Sequence, residues 1–481
     1  MSRPGMAAPP VWWPGEAPAA VAPRTSRIPE WFVVVLLLCQ MALLVPGIGA
    51  VRMAVRMAAF GASLALLVLV RGRGRRHPAA ALGVAALVVT AVEIFHPDTR
   101  SLVAGSAQAG LYVAVMAPLF WAPRLGLDLR TIGRLVLILW AFHTLSAAVG
   151  VLQVYFPGQF QPPLSAIVLS KGRGYVESLK IVTVTGQRVF RPMGLTDIPG
   201  GASISGLYAT LFGTGFFLTR RRPLIMGASA VSMVVGLTAL YLSQVRAVLV
   251  MTGIATLVVV GILAWRRDVA RLGTLGLALA GAAVGGYVVA LSLAGAAVTR
   301  RVATLTAARP GAVYYNERGH FFVDAVTNIL PQAPLGMGLG HWGMIGAYFG
   351  REGDAARPVW VEIQWAAWIV DGGFPLTLLY MAALLVALWT TWRIATGPAP
   401  AQARELPFWG AVTLAYGVGA LALTFSYPIF LSQQGMEYWL LNGVLFSVAW
   451  HERRRAAAAR AGALPAAPGI VPIPRPAAGR R

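Results

Sequence analysis

The chain has 481 residues and a mass of 50.9 kDa, with 57% hydrophobic residues, only 12% charged residues and a mean hydropathy of +0.67. Soluble domains carry about 25% charge, so this composition excludes a string of soluble domains, a coiled coil, a collagen and a disordered chain. The single cysteine, Cys39, excludes a disulfide scaffold, and 40 Lys+Arg against 17 Asp+Glu leave a net charge of +23 that must be placed.

Residues 1–30 are rich in Pro and Ala and lack the basic start and small-residue cleavage site of a signal peptide. They predict a disordered tail, with the first apolar helix kept as an anchor. Apolar stretches of about 20 residues, the length that crosses a bilayer, follow at roughly 31–48, 53–70, 79–95, 101–121 and 132–155. Four more lie at 200–219, 224–242, 246–264 and 272–297, and three at 364–390, 408–427 and 429–450. Pro428 and Ser432-Gln433-Gln434-Gly435 interrupt the last pair. The expectation is an all-α polytopic membrane protein with about 12 transmembrane helices. Residues 31–155 carry helices 1–5, 200–297 helices 6–9 and 362–450 helices 10–12, with a disordered basic tail over 451–481. Gly281 and Gly285 form a small-xxx-small pair suited to close helix packing.

Basic clusters occupy every second connection: Arg24/Arg27, Arg71/Arg73/Arg75/Arg76, Arg124/Arg130/Arg134, Arg220/Arg221/Arg222, Arg266/Arg267/Arg271, Arg393/Arg404 and Arg453/Arg454/Arg455. The positive-inside rule then predicts that both termini and these loops are cytoplasmic. Most of the net charge is explained by topology, and nucleic-acid binding is not required. The two long connections, 156–199 and 298–361, fall on the outer face. Loops of that length are commonly functional, and their aromatics and apolar patches predict ordered, membrane-apposed structure. In the second, Arg318, Phe322, Ala325 and Ile329 recur at helical spacing and predict a short helix against the bundle.

The first outer loop holds Lys171, Arg173, Lys180, Arg188 and Arg191 against Glu177 and Asp197. A basic loop outside needs a reason other than topology, and a negatively charged membrane-borne substrate supplies one, because guanidinium matches phosphate bidentately. Arg246 stands where two apolar helices meet with almost no loop, so its charge is not there to cap a connection. The second outer loop holds Asn316-Glu317-Arg318-Gly319-His320 and Pro334-Leu335-Gly336-Met337-Gly338-Leu339-Gly340-His341. The glycine run lacks the preceding strand and the Lys-Ser/Thr of a nucleotide loop. It predicts a flexible turn that lets backbone approach a ligand. Glu362 opens the tenth span among aromatic neighbours, ahead of Gln364, where partial burial suits a carboxylate to base chemistry. The six histidines show no paired metal-ligand spacing, so no metal site is expected. His143 reads as a packed helix residue, while His320, His341 and Gln364 are candidate helpers on the outer face.

Taken in order, Arg191-Pro192-Met193-Gly194-Leu195-Thr196-Asp197-Ile198-Pro199, Leu242-Ser243-Gln244-Val245-Arg246, Arg318, Pro334-Leu335-Gly336-Met337-Gly338 and the Glu362 to Gly373 helix start give a pattern over roughly residues 185–390. This pattern resembles the O-antigen ligase and O-antigen polymerase superfamily of bacterial envelope glycosyltransferases. The resemblance implies ten to fourteen spans with an active site in a large outer loop of the bacterial inner membrane. It implies glycan transfer from an undecaprenyl diphosphate carrier, without metal or cofactor, alongside assembly partners such as a flippase or a chain-length regulator. Carried onto this chain, it implies Arg188, Arg191, Arg246 and Arg318 as diphosphate ligands and Glu362 as base, with Arg246 and Arg318 also catalytic. Ligases of the superfamily typically show His followed by Asn where this chain has Glu362-Ile363. That difference favours a polymerase of exopolysaccharide, capsule or O-antigen repeat units. The alternatives are a ligase to lipid A core or another acceptor, and a transporter of lipid-linked sugars.

Overall fold

The computed structural model describes residues 26–45, 51–72, 74–164, 168–169, 172–220, 222–295, 298–299, 303, 310–349 and 361–460. Arg24, Arg73, Lys171 and Arg221 lie outside the described residues, as do the first 25 residues and those from 461 onward.

Every expected apolar stretch holds a helix. In chain order these are α1 (Ile28–Ala42), α2 (Arg52–Leu69), α3 (Ala80–Val92), α4 (Leu102–Met116) and α5 (Leu129–Tyr155). After the first long connection come α6 (Ala202–Thr219), α7 (Pro223–Ser243), α8 (Arg246–Trp265) and α9 (Val269–Ala294). The second long connection contributes a helical segment over 310–332, designated α10, and α11 (Gly343–Phe349). The chain ends with α12 (Gln364–Thr396), α13 (Leu406–Leu423) and α14 (Gln433–Arg460).

Among the described residues, nine helices are long and apolar enough to cross a membrane: α2, α4 with its continuation to Arg124, α5 to α9, α12 and α13. This is fewer than the expected twelve. The α1 helix has 15 residues, the helix Ala80–Phe95 is also short, and α14 falls outside that class. The α14 helix also runs to Arg460, past the expected end at residue 450, so the start of the expected disordered tail is helical.

Burial orders the bundle. The apolar windows of α6 and α13 are 83% buried, against 11% for α2 and 22% for α9, which places α6 and α13 at the centre and α2 and α9 at the rim. Leu69, Leu224, Leu257 and Leu277 face outward with 70% or more of their surface exposed. A continuous apolar exterior of this kind needs hydrocarbon around it, and the chain is an all-α, membrane-embedded protein. Inside, hydroxyls are returned to their own helices: Thr210, Thr214, Thr238 and Ser243 each donate to the carbonyl four residues earlier. Close approach of α6 to α7 rests on Gly206 and Gly236, where an added Cβ would come within 2.4 and 2.7 Å of the facing backbone carbonyl. The expected packing pair Gly281/Gly285 does not do this work. A Cβ at Gly281 would meet nothing within 4 Å, and the tight position on α9 is Gly286, facing Val234, Leu237 and Thr238.

The bundle has two chemically different ends. At one, arginines hold helix termini together: Arg124 donates to the carbonyls of Leu67 and Val70, Arg266 to those of Ala395 and Gly397, and Arg134 and Arg220 pair with Glu30 and Glu405. At the other lie both long connections, and this is called the loop end below.

Candidate functional site at the loop end

Three segments converge at the loop end, and each is fixed by its own packing. The first is a short antiparallel hairpin, β1 (Lys180–Val182) and β2 (Arg188–Phe190), in register Ile181↔Val189. Alternation turns Ile181 and Val189 inward, where they pack with Val154, Leu242, Ala290, Ala294 and Val298. This docks the hairpin on the ends of α5, α7 and α9. The ladder continues one step, with Arg191 N–H donating to Leu179 O at 2.9 Å, so Arg191 leaves the hairpin in a fixed direction.

The second segment is the α7–α8 junction. Gln244 turns the chain with φ +55°, and Arg246 is the first residue of α8. A cation at a helix N-terminus opposes the helix dipole. Arg246 therefore gains nothing from its own helix and finds its counter-charge elsewhere, in Glu317 at 2.6 Å.

The third is α10, which contains two π turns, Tyr315–Gly319 and Ala325–Ile329. Its face of Phe322, Ala325 and Ile329 packs on Ile363, Ala366 and Ile369 of the α12 start, as the spacing predicts. The α12 start is itself pinned: Gln364 N–H donates to Thr424 O at 2.9 Å, and its side-chain oxygen accepts from Phe430 N–H at 2.8 Å. Trp365 Nε1 donates to Thr424 Oγ1.

These fixings bring Arg191, Arg246 and Arg318 together. Arg318 is ion-paired with Glu362, and Arg246 with Glu317. Arg191 lies within electrostatic reach of Glu317, Tyr175 and Arg246, and Arg318 within reach of Glu317 and Tyr175. Three guanidiniums facing two carboxylates leave the cluster net positive. Burial is the main influence on Arg191 and Arg318 and pushes both below the ordinary arginine value, with Arg246 adding to the effect at Arg191. Both stay charged at any biological pH. Arg191 donates to Ser178 O at 3.1 Å, while its buried Nε has no hydrogen-bond partner. A buried donor without an acceptor is costly unless an anion arrives to take it.

The other expected site residues separate from this cluster. Arg188 is 69% exposed and pairs with Glu177, which Lys180 also holds at 2.6 Å. The Lys180 hydrogen bond, with Arg188 beside it, keeps Glu177 below the usual carboxylate range. Gln364 is fully buried and structural in its contacts, with its Nε2 unpartnered. His320 sits on α10, with Nδ1 3.1 Å from Tyr315 O and its ring against Phe321. His341 is buried, its Nε2 2.9 Å from Met337 O, and burial holds it below the ordinary histidine value of 6.5.

The glycine run approaches protein backbone, where the sequence predicts approach to a ligand. The α12 helix is broken at Gly372 and Gly373, the latter at φ +56°, and a Cβ there would sit 2.2 Å from Pro334 O. The run fills the break: Phe374 N–H donates to Pro334 O at 2.8 Å, and Met337 N–H to Val370 O at 2.7 Å. Groups orphaned by the broken helix are thereby satisfied. Further along, Leu339 N–H donates to Thr99 Oγ1 and Arg100 N–H to Leu339 O.

Several acidic groups and a phenol that are not among the candidate site residues also take fixed places at this end and in the bundle. Glu317 and Tyr175 belong to the arginine cluster; Glu317 is adjacent to Arg318 in sequence, which was the available signal. Asp197 is buried between Arg52 and Arg56. Two carboxylates lie deeper. Asp371 accepts from Gln108, Tyr112 and Trp342, and Glu437 from Tyr208 and Gln433. Among the described residues, no group of three or more His, Cys, Asp or Glu is placed to hold a metal ion. No protein-family model matches the chain, and no curated protein matches it in sequence.

Proposed function

We propose that the protein is a polysaccharide polymerase that joins undecaprenyl-diphosphate-linked oligosaccharide repeat units at the outer face of the bacterial inner membrane. One observation carries the reading: three arginines from separate segments meet around two glutamates at the loop end, with Glu362 paired to Arg318. The positive-inside distribution supports an outward-facing loop end and cytoplasmic termini, and α1, α3 and α14 complete the proposed twelve spans. Glu362-Ile363, in place of the His-Asn pair of the ligases this chain resembles, supports the polymerase over the ligase.

The chemistry is a substitution at the anomeric carbon of the donor sugar. The acceptor hydroxyl oxygen forms the new bond, the bond to the diphosphate oxygen breaks, and the hydroxyl proton passes to the Glu362 carboxylate. The diphosphate leaves with the bonding pair. Its developing charge is taken by Arg191, Arg246 and Arg318, fixed donors that need no reorganisation. An entering diphosphate also competes with Glu317 and Glu362 for the guanidiniums. Binding the donor in this way turns Glu362 from a counter-ion into a base beside the reacting centre.

A clean deletion tests the reading, with glycans examined both at the surface and on the carrier. Single repeat units on carrier with no polymer is the expected result. Long chains on carrier with none attached means a ligase, and full-length surface polymer overturns both. A transporter instead moves lipid-linked substrate across liposomes without bond formation.

A further inference from the structure

A groove of about 460 Å³ lies between α10, the segment that carries Arg318, and the start of α12. Its volume falls within the roughly 300–1,000 Å³ of small-molecule sites. One wall presents Tyr315, His320, Phe321, Asp324, Thr327 and Asn328. The floor, Val361 and Ala366, belongs to the segment that carries Glu362.

We infer that this groove binds the acceptor saccharide; the inference rests on the glycosyl-transfer reading and names the subsite of that same site. Three features support a sugar. First, the polar groups are paired so that each keeps capacity toward the groove. Asn328 Nδ2 donates to Asp324 Oδ1 at 2.7 Å, which leaves Asp324 Oδ2 and Asn328 Oδ1 to accept from hydroxyls. With Nδ1–H donated to Tyr315 O, His320 Nε2 is a further acceptor; this tautomer is assigned from the hydrogen bond. Second, the Tyr315 and Phe321 rings add apolar faces for sugar C–H groups. Third, charge divides the two regions. Asp324 repels a diphosphate that the arginines attract, so the groove takes the uncharged part of a substrate. It also resists a lipid tail, which would strip water from that carboxylate. The two π turns that flank His320–Asp324 widen the helix on this wall, a distortion frequent at functional sites.

The test is photo-crosslinking in the full-length protein in cells, with p-benzoylphenylalanine in place of Thr327 and, as a control, of outward-facing Leu277. The expected result is a Thr327-site adduct whose mass includes sugar residues, with phospholipid alone at the Leu277 site. Phospholipid alone, or no adduct, at the Thr327 site overturns the groove. Failure of the parent reading is distinct: sugar adducts in the groove together with a deletion strain of unchanged surface glycan keep the binding site and refute the polymerase. In a purified assay, Asp324→Ala combined with Asn328→Ala is expected to raise the acceptor KM by about tenfold or more, with kcat within about twofold. An unchanged KM overturns the assignment.

Discussion

Arg246→Ala separates a catalytic arginine from an anchoring one, because the two roles predict opposite balances of activity and stability. The Arg246 side chain is 15% exposed, and its partner Glu317, 2.6 Å away, is 55% exposed. Removing the guanidinium leaves Glu317 free to rehydrate, so the lost pair is worth about 1 kcal/mol or less. Removing a cation from the first turn of α8 returns roughly 0.3–1 kcal/mol of helix-dipole energy. The two contributions nearly cancel, and the thermal midpoint in detergent is expected to stay within about 2 °C of wild type. Activity follows a different scale. Losing one fixed donor to a developing oxyanion slows turnover by about 100- to 1,000-fold. Arg246→Lys keeps the charge without the planar fork and is expected to fall between, near a tenfold loss. The assay is transfer between undecaprenyl-diphosphate-linked repeat units by purified protein, with products resolved by mass. Turnover by the alanine variant within about threefold of wild type refutes the diphosphate clamp. A drop in midpoint that accounts for the lost activity refutes it equally.

Glu317→Gln removes a competitor for Arg246 and Arg191 but no donor; kcat is expected to hold within about threefold and the donor KM to fall or stay level, so a hundredfold loss in the same assay would show that Glu317 acts in the chemistry. Gly373→Ala places a Cβ 2.2 Å from Pro334 O at φ +56° and is expected to lose at least about 3 kcal/mol. Gly281→Ala, with open space around it, is expected to be neutral or slightly stabilising; thermal unfolding of the two variants side by side checks the contrast. His341 is held below 6.5 mainly by burial, so the folded segment binds its proton less readily than the unfolded chain. Its contribution is complete above pH 6.5 and is lost as pH falls below that value. Protection of the amides at Gly338–His341, taken relative to the intrinsic exchange rate at each pH, is expected to fall from pH 7.5 to 5.5 (about one unit either side), and equal protection at both would remove the linkage.

The helices were legible because a membrane span is written locally: length and apolarity decide it without reference to partners. What failed was any feature whose cause lies far along the chain. The glycine run 336–340 reads as a ligand turn until the break at Gly372–Gly373, more than thirty residues on, shows what the backbone approaches. The partners of Asp371 are more distant still, Gln108 and Tyr112 on α4. The hairpin is a different kind of miss. Ile181 to Val184 is a run rich in β-branched residues, followed by Thr185-Gly186, a strand and turn signal inside the connection 156–199. Recognising it would have sorted the basic residues. In this register Arg188 lies off the inward face of Val189, while Arg191, an even number of residues from Val189, shares that face. Strand parity alone assigns one arginine to the surface and the other to the cluster.

The carboxylates show why proximity to charge, more than burial, marks the site. Asp371 is the more deeply buried, and an acid inside a membrane bundle reads as functional by default. Its acceptors are nevertheless filled by an amide, a phenol and an indole, each fixed on a packed helix or on Trp342. Nothing a substrate carries displaces all three, so Asp371 serves to tie α4 and α12 to the loop beyond. Glu362 is 26% exposed, and its ion-pair partner Arg318 is a cation in a net positive cluster. In the proposed reaction the donor's phosphate competes directly for that cation. The same exchange is open to Glu317 at Arg246, but Glu317 is 55% exposed, about twice as much as Glu362, and Glu362 follows Val361 of the groove floor in sequence. Of the two acids that a diphosphate would release in the proposed reaction, Glu362 is the one more shielded from water, and the proposal gives it the acceptor proton for that reason.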